Sequence, residues 1–387
     1  MTAKSAPEAI GIALQVADPL LRANRRQDLG TITRAVSSYG HTLSAFMGFD
    51  SAKASINADA NTAEDWLDDG LGRDILAVDS DLGEAFNGFV NVVELVFGHV
   101  TIRRGPLLDI ANRVYAVYRD VDNTVNPPTV GDRTPTVITE DLDSQGRYGI
   151  IEQVLSAGQV DQLVAEQIRD AYLLEHHEPE TSQTISSTPG PPRVNLDILG
   201  YGHWLKAYVY NQVAVSGTIT VYDKLVAVLT ADPNNVVSTD YSEVYQNLVL
   251  ADAYENDDPY GLTVIKELTS MGGGTDQRML FQVLEGRKVY YQPQPTIYEY
   301  VSWIGDGRIR DLGGNVVAPW KIRPGKWIKL VDMLPAAVEP DLLRDDPRSV
   351  FVESVTYTAP YQFDIEGSKT DTVAQKLAKL GMAGIFA

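Results

Sequence analysis

Short apolar runs bounded by glycine and polar residues mark residues 31–130 as β-rich. Thr31–Val36 and Thr42–Phe46 read as short strands, Ser55-Ile-Asn begins another, and Asp74–Val78 is a brief apolar run between Gly72 and Asp79. Ala85–Phe97 is the longest strand candidate, with His99–Arg103 as a hairpin partner across Gly98. Gly105-Pro106 marks a turn, and Leu107–Tyr118 fits a short helix or a strand. The clearest helical pattern lies at 160–175, where Val160, Val164, Ile168 and Tyr172 recur every four residues beside Leu163 and Ala171.

Punctuation divides the chain. Asn123–Asp132 is turn-rich, and Glu178–Arg193 holds Pro179, Pro189, Gly190, Pro191 and Pro192, which predicts a linker. Helices are expected at Tyr222–Leu229 and Pro259–Thr269, the second ending at Gly272-Gly-Gly274. Arg278–Leu284 and Lys288–Tyr291 flank Glu285-Gly286-Arg287 as a hairpin, and Gly313-Gly-Asn315 turns another. Phe351, Glu353, Val355 and Tyr357 share one face of a strand. Thr370–Met382 reads as an amphipathic helix with Val373, Leu377 and Leu380 in line. The division that follows is an N-terminal helix or arm at 1–30 and a β domain at 31–130. An α/β segment with helix and linker covers 131–193, a second α/β domain 194–303, and a returning β domain with a terminal helix 304–387. The fold class is α+β, β-rich.

Charge and composition narrow the chemistry. With 52 acids against 32 bases the net charge is −20, a surface that repels phosphate and argues against specific duplex binding. It suits solubility or a salty medium first; the sharper alternative is a passage through which nucleic acid slides without sticking. The absence of cysteine excludes disulfides, thiolate catalysis and Cys-ligated metals. No run of about 18 apolar residues predicts a transmembrane helix, and the first residues lack a signal-peptide layout.

Asp141, Asp143, Gln145, Gly146 and Glu152 match a calcium-loop spacing. Gln145 stands where Asp or Asn is normal, and the β-prone Thr134–Thr139 replaces the entering helix, so a satisfied turn explains the run as well. In Glu175-His-His-Glu178 the adjacent imidazoles diverge by about 100° on a helix that Pro179 stops, which suits a solvated helix end better than zinc. Gly272-Gly-Gly274 lacks the Lys-Ser/Thr of a P-loop. The five histidines have no triad spacing, and the Asp252–Asp258 acids read as a solvated loop. No catalytic residue or cofactor is expected.

Five stretches carry a family resemblance. They are Thr62–Trp66 through Gly70–Ile75 with Phe86–Val90, and Tyr148–Glu152 with the helix and proline-bearing segment after it. Ile198–Trp204, Tyr290–Pro293, and Trp320–Ile328 with Phe351–Tyr357 complete the set. Together these resemble the tail hub, or tail-tip, proteins of long-tailed bacteriophages. The resemblance implies β-barrel-type domains with an inserted helix-containing domain, and a homotrimer ring with pseudo-sixfold barrels. It implies a non-enzymatic virion component at the tail tip or baseplate, made in the host cytoplasm. Such a ring closes the tail tube, meets the distal tail protein, tape measure and spike or fibre, and lines the genome exit channel, with DNA passing without specific binding. The chain ends at Ala387 without a lysin or fibre extension, which argues against peptidoglycan cleavage. The alternative is a receptor- or glycan-binding adaptor with Trp303, Trp320 and Trp327 as stacking platforms. A peptidoglycan hydrolase using paired carboxylates is the third reading.

Overall fold

A computed structural model describes residues 12–22, 30–32, 35–79, 83–122, 129–210, 217–253, 258–274, 277–303, 308–331, 349–359 and 362–368. The first stretch runs β1 (Ala13–Ala17), β2 (Gly30–Thr31), β3 (Val36–Ser44), β4 (Gly48–Asn57), α1 (Ala60–Asp69), β5 (Asp74–Asp79) and β6 (Gly83–Arg104). An excursion follows through β7 (Arg113–Asp122), β8 (Thr129–Pro135), β9 (Thr139–Glu140), α2 (Leu142–Tyr148), β10 (Glu152–Gln159) and α3 (Gln162–His176). The chain returns along β11 (Thr181–Gly200), then forms β12 (Thr218–Thr220), α4 (Val221–Thr230), β13 (Leu250–Asp252) and α5 (Gly261–Ser270). It finishes with β14 (Met279–Val283), β15 (Val289–Pro293), β16 (Tyr300–Trp303), β17 (Ile309–Asp311), β18 (Trp327–Val331), β19 (Ser349–Thr358) and β20 (Gln362–Ser368).

The fold is α+β and β-rich. One 14-stranded sheet follows the path β17-β16-β18-β19-β3-β4-β11-β6-β5-β1-β2, with β14, β15 and β20 attached beside it. The path is open at β17 and β2 among the described residues. A separate sheet, β10-β7-β8 with β9 on β7, belongs to the excursion, and α3 packs on it. No helix of the described residues is long and apolar enough to cross a membrane.

β6 and β11 join the two parts. Val90, Val92, Val93, Leu95 and Val96 give β6 a β-branched, buried first half. There β11 lies between β6 and β4, pairing Leu196 with Val93 on one side and with Ala54 on the other. Beyond Gly98 the pairing continues, Thr184 opposite Thr101 and Thr181 opposite Arg104, and β6 bends back so that Gly105 lies against the Asn91 carbonyl and Leu108 N donates to Asn91 Oδ1 at 3.2 Å; the excursion leaves from there. The proline-rich stretch read as a linker is this outer half of β11. The register slips between Ile185 and Gly190 and again before Arg193, so Pro189, Pro191 and Pro192 fall where the ladder is interrupted. Among the described residues their other edge meets no strand, because β4 pairs only with residues 193–199. Gly98, read as a hairpin turn, holds φ +61° opposite Gly190, and the residues beyond it do come back beside Asn91, although both halves are strung on β11.

Two further elements differ from expectation. Ala13–Ala17, in the segment read as a helix or arm, is a strand paired with β5. Residues 60–69, to which the sequence assigned no element, form α1 and lead into β5: Asp59 accepts from Thr62 N at 2.8 Å, and Ala63 and Trp66 are buried. Arg73 covers the Trp66 ring at 4.8 Å. The helix expected at Thr370–Met382 lies outside the described residues.

The main core gathers Phe49, Phe86, Phe89, Tyr201, Trp204 and Tyr357 with the aliphatic faces of β4, β6 and β11. Phe89 meets Trp204 edge-on at 5.1 Å. Backbones come close here: a Cβ on Gly200 would lie 1.7 Å from the Phe49 carbonyl oxygen, and one on Gly88 2.3 Å from that of Leu199.

Candidate functional site

The calcium-spaced residues are engaged in structural contacts. Asp141 caps α2, accepting from Ser144 N at 2.9 Å, and Gln145 Nε2 donates to the Asn112 carbonyl at 3.1 Å. Asp143 lies exposed in the first turn of α2. Glu152 accepts from Val209 N at 2.8 Å and faces Arg113 Nη1 at 3.1 Å. Burial pushes its carboxyl upward, outweighing the Val209 hydrogen bond and the Arg113 charge. Among the described residues, no three His, Asp or Glu side chains form a group that could hold a metal.

Asn112, which no periodicity singled out, ties this segment together. It is fully buried; its Oδ1 accepts from Ile151 N at 2.8 Å, and its Nδ2 donates to the Gly149 carbonyl at 2.7 Å and to Ser144 Oγ at 3.3 Å. Asn234 then clamps Ile150 through both its N–H and its carbonyl at 2.8 Å. The 141–152 run is thus the seam where the excursion meets residues 201–236.

The Glu175–Glu178 run closes α3. His176 stacks on Tyr172 at 3.9 Å, its Nδ1 lies 3.0 Å from the Tyr172 carbonyl, and Glu178 pairs with Arg147 at 2.6 Å. Gly272 and Gly274 hold positive φ, and the Gly272 carbonyl accepts from Asn247 Nδ2 at 2.8 Å, so the triple glycine stops α5. Asp258 pairs with Arg133 at 3.3 Å. Trp327 is fully buried, its Nε1 donating to the Pro295 carbonyl at 3.0 Å, so it offers no stacking face; Trp320 stands edge-on to Tyr357 at 5.4 Å.

Two features escaped the sequence reading. One is a cleft of about 850 Å³ between α5, the β14 entry and the end of β3. Phe46 lies in it under Lys266, with Arg278 paired through both terminal nitrogens to Glu353 at 3.0 and 3.2 Å. The other is His41, buried among Tyr39, Phe86 and Tyr357 at ring distances of 5.2–5.7 Å. Among the described residues neither ring nitrogen has a hydrogen-bond partner, and burial, aided by the Arg323 charge, holds the imidazole down at about 3.

α3 turns its smaller residues inward. Ala165, Arg169 and Leu173 are buried against the β7 sheet, where Ala165 meets Ala116 and Tyr118, and Leu173 meets Ala111 and Val114. Val164 and Ile168, expected to face the core, are 37% and 39% exposed, and Leu163 and Leu174 are more open still. Arg169 holds the helix in this setting by donating from Nη1 to the Val137 carbonyl at 2.6 Å.

No protein-family model and no curated protein matches the chain. Among solved structures, the chain is similar to a tail protein from Neisseria meningitidis MC58, at 8% identity over 93% of this chain and 97% of that one, TM-score 0.39. It is also similar to the 43 kDa tail protein of prophage MuSo2 from Shewanella oneidensis, at 7% identity over 92% and 97%, TM-score 0.40. A third is prophage tail protein gp18 from Listeria monocytogenes EGD-e, at 8% identity over 96% and 98%, TM-score 0.37.

Proposed function

We propose that the chain is a structural subunit of a phage tail, a hub whose copies form a trimeric ring at the tail tip or baseplate. The observation that carries this reading is apolar surface left uncovered on ordered elements. The outer face of α3 and Ile185 on β11 are open to solvent, although the chain has buried cores to hold such residues. Exposed apolar side chains gathered on one helix mark contacts with other protein. The open sheet path supports the same reading, because unpaired edges call for partners. The sequence resemblance supplies the setting: the ring closes the tail tube, meets the distal tail protein, tape measure and spike or fibre, and lines a channel. The net charge of −20 suits a lumen that DNA crosses without sticking. In this role the protein works by assembly, without turnover.

Gold labelling of an epitope-tagged chain in purified particles tests the placement. Label confined to the tail tip or baseplate is expected; label along the tube, at the head, or absent from particles refutes it. A second reading, a receptor- or glycan-binding adaptor, draws on the 850 Å³ cleft with Phe46, Lys266 and Arg278. A glycan array tests it: binding that Lys266→Glu abolishes would favour it, and an empty array would remove it.

A further inference from the structure

Two open surfaces of opposite character occur on one chain. The outer face of α3 is apolar and acidic. Leu163, Val164, Ile168 and Leu174 are exposed along it. Asp170 serves the buried Arg169 at 2.7 Å, while Asp161, Glu166 and Glu175 meet no cation among the described residues. Glu166 stands one turn from Leu163 and Glu175 two turns from Ile168, so both edge the apolar stripe.

The second surface lies where β6 and β11 turn together at Gly98 and Gly190. Its composition is unlike the rest of a chain of net charge −20: neither Leu95–Leu108 nor Thr181–Leu196 contains an acid. Phe97, Val100 and Ile185 are exposed there, and Val100 and Ile185, opposite each other in the register, share a face. Arg104 is engaged by the Leu67 and Asp68 carbonyls at 3.0 and 2.8 Å. Arg103 and Arg193 are exposed, and among the described residues neither pairs with a carboxylate.

One copy cannot cover either surface with the other. Leu174 is 76% exposed and Ile185 83%, so the two do not meet within the chain. Both are also fixed in place. Arg169 Nη1 on the Val137 carbonyl ties α3 to its surroundings, and Gly105 N, donating to the Glu180 carbonyl at 3.0 Å, ties the approach to β11 to the end of β6. A second copy brings both surfaces in matching form: apolar side chains against apolar side chains, and arginines against the acids of α3.

We propose that the β6–β11 turn of one copy, with Phe97, Val100 and Ile185, docks on the outer face of α3 in a neighbouring copy, with Arg103 and Arg193 serving Glu166 and Glu175. The contact rests on the ring reading and deepens it by naming the surfaces that meet. Because the two surfaces differ, each copy offers one and receives one, the heterologous arrangement that forms a ring when the rotation between copies closes.

The absence of cysteine makes the test direct. A chain with Ile185→Cys and a size-shifting tag is co-expressed with an untagged chain carrying Ile168→Cys. The protein is purified through the tag, oxidised in air and read by non-reducing electrophoresis, with light-scattering mass of the same samples. A disulfide between tagged and untagged chains can only join two copies. The expected result is this mixed pair at about ten-fold the yield of a control in which Thr263→Cys, exposed on α5, replaces Ile185→Cys. Arg103→Glu with Arg193→Glu in the tagged chain should bring the yield down to the control, and Glu166→Lys with Glu175→Lys in the untagged chain should restore it. A mixed pair no more abundant than the control, or a yield indifferent to the charge changes, overturns the docking. If multimers persist in that case, the docking fails alone. A single-chain mass at every concentration takes the ring reading with it.

Discussion

Acid should weaken this protein through His41, by an amount the structure allows to be worked out. The imidazole is enclosed by three aromatic rings with no partner for either nitrogen among the described residues, and its protonation is held down to about 3, against an ordinary value near 6.5. Unfolding releases the ring to water, where it binds a proton readily, so the unfolded chain gains stability as pH falls below 6.5. Each pH unit favours it by about 1.4 kcal/mol until the folded ring itself titrates, giving about 2 kcal/mol at pH 5 and about 4 at pH 3. Above pH 7 the effect vanishes, since both states hold a neutral ring. His41→Phe keeps a flat ring in the same cage and removes the titration. Denaturant unfolding followed by tryptophan fluorescence, run on both proteins at each pH from 8 to 5, reads the difference and cancels what other groups contribute to both. The variant should lie within about 1 kcal/mol of the parent at pH 7.5 and exceed its relative position there by about 2 kcal/mol at pH 5. A difference that stays constant across that range would refute the assignment.

Other consequences are equally direct. Gly200→Ala should cost about 3 kcal/mol or more, because the added methyl meets the Phe49 carbonyl rather than a movable side chain. Gly146→Ala, inside α2 with nothing within 4 Å of the new methyl, should stabilise by about 0.5–1 kcal/mol; thermal midpoints of the two variants check both signs. Arg113→Met should cost about 2–3 kcal/mol by leaving Glu152 buried without its cation, and Glu152→Gln in the same protein should recover part of it, read by denaturant midpoint. Calcium or a chelator should leave the thermal midpoint unchanged, because Asp141 and Glu152 already accept backbone N–H groups; binding at a hundred-fold Kd would raise stability by about 2.7 kcal/mol.

Elements whose signals were local could be read from the sequence. The β14–β15 hairpin follows from Gly286, which holds φ +63°, and α4 and α5 from apolar spacing that their buried residues match. Elements decided by distant partners could not. α3 carries its largest apolar side chains outward because the β7 sheet offers it a close surface of Ala111, Ala116 and Val114, which admits Ala165 and the stem of Arg169. Periodicity locates an apolar stripe but not whether its own chain covers it. The proline-rich half of β11 reads as linker because proline lacks a ladder donor, yet β6 supplies a partner for the residues around the prolines. α1 was hidden because its core contacts are few, Ala63 and Trp66 in ten residues. At the 141–152 seam the carboxylate spacing was visible, whereas Asn112, on which the segment depends, carried no local mark. His41 could not be singled out either, since its burial depends on β19 and β6 closing over β3.

The central claim is that copies of this chain assemble into a ring, and light-scattering mass with negative-stain class averages of the same peak tests it most directly. The account predicts three times the 42.4 kDa of one chain and averages showing a threefold or pseudo-sixfold ring with a central opening. A single-chain mass that does not rise with concentration, with compact particles lacking any opening, would contradict it.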